Sequence, residues 1–223
     1  MGDAIVSSKG ALYVEDSSGF QAGAGTIAAS AGAVAVAGTG TAFDSELSVG
    51  DLIYHAGSNQ LRMVASIGSA TALDVDTNWT TTIAAGQSFT FIEPEIVPDV
   101  TNINLPNFSA TQIDTSVLDT SGFRRQTSGL VNPGSIDGTI FFQPQLAEHR
   151  RLYDKTDGTG IKLGWIIWIP DASDGTAIPD QKNSRFYFRG SMNQFGGDMP
   201  LDAAISVEFS ILIDGKPVLV GGS

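Results

Sequence analysis

The sequence predicts a mainly β protein. Three observations carry this: 26 glycines accompany abundant Thr, Ser and Asp while strong helix formers are sparse; short apolar runs recur between turn-forming clusters; and residues 135–143 and 205–211 alternate apolar with polar, the period of a half-buried strand. With 223 residues and 42% hydrophobic content, the chain can build one large core or two small ones.

Taken in order, residues 3–20 hold two short apolar runs, 4–6 and 11–14, suited to an arm or edge strand. Residues 21–40 are almost wholly Ala, Gly, Thr and Val, a low-complexity linker with room for one strand at 33–37. A second unit follows over residues 28–92, with strands expected at 33–37, 51–55, 60–66, 71–75 and 87–92. Five short strands in that span suit a small barrel or sandwich. Residues 93–99, with Pro94 and Pro98, read as a stiff return linker. The expected domains are therefore a β unit from 1–27 and 93–223, interrupted by a small all-β module at 28–92.

A strand at 100–106 is then separated from the alternating strand at 135–143 by 28 residues rich in Ser, Thr, Asp and Gly. Compact connections usually take two to six residues, so this excursion is either disordered or functional. Pro144 is placed to open a short helix reaching Asp154, with Leu146, His149 or Arg150, and Tyr153 at helical spacing. The run IKLGWIIWIP at 161–170 is apolar on both faces, which implies cover on both sides. After a turn-rich stretch at 171–180, strands are expected at 185–195 and 203–213, with Asp214-Gly215 as a turn into the tail.

The segments INLPNFSATQIDTSVLDT, GFRRQTSGLVNPGSIDGTIFFQP and FYFRGSMNQFGGDMPLDAAISVEFSILIDGKP, in that order, resemble the major tail tube protein of long-tailed phages with non-contractile tails. The likeness covers residues 93–220 well and 1–27 loosely. It implies a β-sandwich or barrel subunit with one short helix and a long loop, and a structural, non-enzymatic role in the virion. Six copies would form a ring, rings would stack, and DNA would pass through the tube without specific binding. The elements GTGTAF, LSVGDLIY and VASIGSATALDV resemble small β modules inserted in phage tail proteins, here expected on the tube exterior.

By that resemblance the loop at 107–133 reaches an adjacent ring and orders on assembly, with Asp114, Asp119, Arg124 and Arg125 as candidate contact residues. The polar alternates Asp137, Thr139, Ser206, Glu208 and Ser210 are candidates to face the lumen. Partners would be other copies of the chain and, by family likeness, tape measure, tail terminator and distal tail proteins. The expected location is the virion tail, with assembly in the host cytoplasm.

A formal net charge of −12 argues against a protein that grips nucleic acid, since neutralising phosphates takes clustered Lys and Arg. An acidic wall would instead let DNA slide, although such charge also simply keeps proteins dispersed. No cysteine is present, which excludes disulfides, thiolate metal sites and thiol catalysis. Neither a leader-like N-terminus nor a run of about 18 apolar residues occurs, and Val6 spoils the acylation pattern that Gly2 would begin.

His55 and His149 are the only histidines, in different expected units, and no GxSxG, HExxH or P-loop pattern appears. No catalytic residue, cofactor or established metal site follows. Asp171, Asp174 and Asp180 could gather around calcium, although their spacing misses the EF-hand loop. Arg124-Arg125 and Arg150-Arg151 are adjacent basic pairs suited to a neighbour's carboxylates. The alternative to a tube subunit is a monomeric carbohydrate-binding or adhesin-like β protein that stacks sugars on Trp79, Trp165 or Trp168.

Overall fold

The computed structural model describes residues 10–114, 126–171, 179–198 and 204–222. In chain order the elements are β1 (Ala11–Glu15), β2 (Gln21–Ala22), β3 (Thr26–Ala29), β4 (Ala35–Thr39), α1 (Phe43–Glu46), β5 (Leu52–His55), β6 (Gln60–Ser69), β7 (Ala72–Val75), β8 (Ile83–Gln87), β9 (Thr90–Ile92), β10 (Pro94–Val97) and β11 (Val100–Ile103). There follow β12 (Ser109–Asp114), β13 (Gln126–Asn132), β14 (Ser135–Phe141), α2 (Ala147–Asp154), β15 (Leu163–Ile169), β16 (Ser184–Asp198) and β17 (Ser206–Val220). The protein is mainly β, as composition and alternation foretell.

A seven-stranded sheet runs β10-β1-β15-β16-β17-β14-β11. Its two outer strands, β10 and β11, are consecutive in the chain and separated only by Pro98 and Asp99, the latter at φ 56°. The sheet therefore rolls until its first and last strands are one bent segment, as strands do at the corners of sandwiches. Inside lie Leu12, Val14, Val97, Ile136, Ile140, Leu163, Trp165, Ile167, Phe188, Met192, Val207, Phe209, Ile211 and Ile213, with Leu152 of α2 added. Gly138 interrupts the apolar face of β14 because a Cβ there would strike the Phe209 ring at 2.5 Å.

Helix α2 starts at Ala147, after a turn through Pro144, so the proline precedes the helix instead of opening it. The buried face is His149, Arg151 and Leu152, while Tyr153 is 63% exposed. His149 pins the corner: its Nδ1 accepts from the Gln143 N–H at 3.0 Å, leaving Nε2 to donate to the Pro98 carbonyl at 2.9 Å. Arg151 donates to the Glu15 carbonyl and pairs with Glu95 at 2.6 Å, so its charge is used within the chain rather than offered to a neighbour.

The second sheet, β2-β9-β5-β6-β7-β4-β3-β8, is built wholly from residues 21–92, so strand pairing brings β2 and β3 into it ahead of residue 28. The small-residue stretch 21–40 is thus three strands, not a linker with one. Its lack of bulk is met by large partners: Phe43, Trp79, Phe89 and Phe91 fill this core, and a Cβ at Gly23 would collide with the Phe89 ring. Residues 94–97, expected as linker, pair with β1. Pro94 is tolerated as the first residue of an edge strand, where no ladder donor is needed.

Strand β15 is buried on both faces. Leu163, Trp165 and Ile167 enter the roll, whereas Ile166 and Trp168, with Tyr187 of β16, pack on Leu52, Leu61, Met63 and Ile92 of the second sheet. Gly164 allows this approach, since its Cβ would meet Ile92 at 2.1 Å. The seam is locked by Arg185, which pairs with Asp76 at 2.9 Å with both side chains 2% exposed. Asp76 also accepts the Tyr187 hydroxyl at 2.9 Å. Burial, followed by the Asp76 charge, raises the Tyr187 pKa, so the phenol stays protonated and donates.

Two further expectations are revised. The polar excursion carries a two-stranded antiparallel ribbon, β12-β13, whose strands among the described residues pair only with each other. Asp214-Gly215 is a bulge, not a turn: the register jumps from Tyr187↔Val218 to Arg189↔Asp214 and β17 runs on to Val220. Gly215, at φ 81°, absorbs the irregularity.

Removing one partner of the seam pair strands the other charge in the interior. Asp76→Ala is expected to cost about 3–5 kcal/mol in urea denaturation.

Candidate assembly surfaces

Over β14 and the part of β17 paired with it, the outer face of the roll is mainly polar, broken by Phe141 and Leu212. Antiparallel pairing sets Asp137 opposite Ser210, Thr139 opposite Glu208, and Phe141 opposite Ser206. Strand β16 extends these rows with Gln194, Gly196 and Asp198, and β11 adds Asn102 beside Thr139. All five lumen candidates thus share one sheet face, opposite Ile136, Ile140, Val207, Phe209 and Ile211 in the core. Asp137, Glu208 and Asp198 are exposed, and no Lys or Arg occupies these rows. The sequence reading missed Asp198 and Gln194, because β16 alternates poorly beyond its bulge between Met192 and Gln194.

The ribbon β12-β13 is solvent-exposed along nearly its whole length. Leu130 is 90% exposed and Val131 61%, with Ile113 and, at the base, Phe108 also exposed. Asp114 ends β12 and is exposed, whereas Asp119, Arg124 and Arg125 lie outside the described residues. Large apolar groups exposed on both faces of one short ribbon suit a segment that meets another macromolecule.

A carboxylate cluster sits where the two sheets join. Asp51 is buried beside a cavity of about 470 Å³ lined by Tyr13, Met63, Ile166 and Trp168. Burial pushes its pKa up to about 6, aided by the Glu93 and Asp16 charges and opposed by the Ser48 N–H that its carboxylate accepts at 2.7 Å. Burial likewise raises the Glu15 pKa, against a hydrogen bond from the Gly164 N–H and the charges of Lys155 and Arg151.

The remaining sequence candidates do not assemble into a reactive or sugar-binding site. Trp79, Trp165 and Trp168 are at most 4% exposed, so none offers a stacking face. His55 caps a short turn through Ser58, and His149 holds the corner. Asp171 accepts the Ser184 N–H at 2.6 Å, Asp174 is outside the described residues, and among the described residues no three metal-binding side chains converge. No helix among them is long and apolar enough to cross a membrane.

A rolled sheet with a mainly polar outer face, and an exposed ribbon that carries a few apolar side chains, give the chain surfaces suited to a structural role. Residues 94–221 match the family described as phage tail tube, TTP, lambda-like, and the chain belongs to it. It is also 28% identical over 153 residues to Structural protein 3 of Pseudomonas phage PAJU2, covering 61% of this chain and 92% of that one. It is a structural protein of the virion tail.

Asp51 binds its proton more tightly folded than unfolded. Its contribution to stability is therefore fully present only below the unfolded value of 3.8 and is lost as pH rises through about 6. Asp51→Asn should match the wild type in thermal stability at about pH 3 and exceed it above about pH 7. Differential scanning calorimetry across that range reads the difference.

Proposed function

We propose that this chain assembles into hexameric rings that stack into a tail tube, with DNA passing along the lumen. The observation that carries the reading is the ribbon β12-β13, which holds out Ile113, Leu130 and Val131 while pairing with no other strand among the described residues. Such a segment gains its missing burial from an adjacent ring. A closed ring needs two different complementary surfaces on each copy, and the open edges of β10 and β11 supply backbone donors and acceptors for them.

The polar outer face of β11, β14, β17 and β16 lines the lumen in this reading. Asp137, Glu208 and Asp198 repel phosphate, while Thr139 and Ser206 offer short polar contacts that hold nothing tightly; Ser210, on the same face, is only 9% exposed and contributes little. The second sheet covers β15, three positions from β14 in the strand order, and faces outward as a decoration. Asp119, Arg124 and Arg125 belong with the ribbon that reaches the next ring. Tape measure, terminator and distal tail proteins would meet the tube at its lumen and ends, and assembly would take place in the host cytoplasm.

Negative-stain microscopy of the purified chain at high concentration should show rings or tubes about one DNA diameter in bore. The pair Leu130→Asp and Val131→Asp should leave thermal stability within about 0.5 kcal/mol, because both side chains are exposed, yet abolish stacking. Small particles at every concentration would defeat the proposal. Asp137→Lys with Glu208→Lys should still assemble but retain DNA in the bore, with release rising steeply with salt.

A further inference from the structure

A cleft of about 680 Å³ lies at the seam between the two sheets, close to the base of the ribbon, where Phe108 forms part of its lining. Three cations line it: Arg62 from β6, Arg189 from β16 and Lys216 from the bulge of β17. Its one lining carboxylate, Asp214, is already paired with Lys162 at 2.8 Å.

Neither guanidinium has a carboxylate among the described residues. Arg62, 4% exposed, donates to the carbonyl oxygens of Asn78 and Leu61 and to Oε1 of Gln60, and lies over the Trp79 ring. Arg189 donates to the Tyr54 hydroxyl and to Asn59 Oδ1, and lies over the Phe20 and Tyr54 rings. Its buried Nε has no acceptor among the described residues, and neither has the buried Nε2 of Gln60. All the unmet groups here are donors. The contrast is with Arg151 and Arg185, each of which has an acid in the same chain.

A chain with 24 acids and 12 Lys and Arg does not lack carboxylates, so two cations left without them mark a site kept for an acid from outside. We propose that this cleft receives an Asp or Glu side chain from a second copy of the protein, seated against Arg189 with Arg62 and Lys216 supplying field. The occupant is a second copy because this acidic chain supplies the matching group, and because a neighbour engaging the ribbon lies over the cleft at its base. Guanidinium donors and a carboxylate form the charge-assisted bonds that interfaces favour. The inference rests on the self-assembly reading and names one of its contacts.

The test compares full-length wild type, Arg189→Gln and Lys216→Gln by sedimentation velocity at low and high salt, with circular dichroism melts as the folding control. Wild-type assembly should weaken with salt. Each variant should need about tenfold more protein for half-assembly and respond less to salt. Lys216 is exposed, so its variant stays informative if Arg189→Gln fails to fold. Variants that assemble at wild-type concentration with wild-type salt response overturn the contact. So does unchanged assembly alongside binding of free glucuronate that Arg189→Gln removes, which would assign the cleft to a small acid. A wild type that never assembles instead defeats the tube reading itself.

Discussion

The architecture depends on one strand buried from both sides. β15 fills the roll with Leu163, Trp165 and Ile167 and seats the second sheet with Ile166 and Trp168. Each apolar face covered removes area from water at about 25 cal/mol per Å², but this seam also carries an ion pair. Arg185 and Asp76 gain their geometry from opposite sides of it, and the Tyr187 hydroxyl fills a further acceptor site on the carboxylate. Such a pair is weak evidence for net stability; what it sets is the cost of removing either partner alone, which leaves the other charge buried and uncompensated.

Charge is distributed unevenly over this frame. Carboxylates spread over the outer rows of β14, β17 and β16, while Arg62, Arg189 and Lys216 gather at the seam cleft. A subunit that repels along one face and attracts at another has directions built into it. That asymmetry is what head-to-tail closure requires, since the same patch cannot serve both sides of a heterologous contact.

Much of this was legible in the sequence because alternation is a direct trace of burial. Ile136 to Phe141 and Ile205 to Ile211 show their two faces plainly, and the doubly apolar IKLGWIIWIP announced a second cover before the cover itself could be identified. What was hidden depends on partners distant in the chain. Residues 21–40 look too small to pack because Phe43, Trp79 and Phe89 supply their bulk from elsewhere. The ribbon lacks an apolar period, since neither of its faces meets a core, so it reads as loop. Asp214-Gly215 carries turn residues, yet the opposing strand continues past it and makes a bulge the better solution. Arg62 and Arg189 gave no linear signal, for the cleft exists only once β6 and β16 lie side by side.

The second sheet enters and leaves the roll through neighbouring positions: Glu15 lies opposite Pro94, and the Asp16 N–H donates to the Glu93 carbonyl at 2.9 Å. In connectivity it is an enlarged hairpin tip that a short turn between β1 and β10 could replace. Surface chemistry opposes the excision, because Ile166, Trp168 and Tyr187 would be left bare and Arg185 unneutralised. A graft at this point is open to other domains in topology, but only to those that bring their own greasy underside and an acid at the position of Asp76.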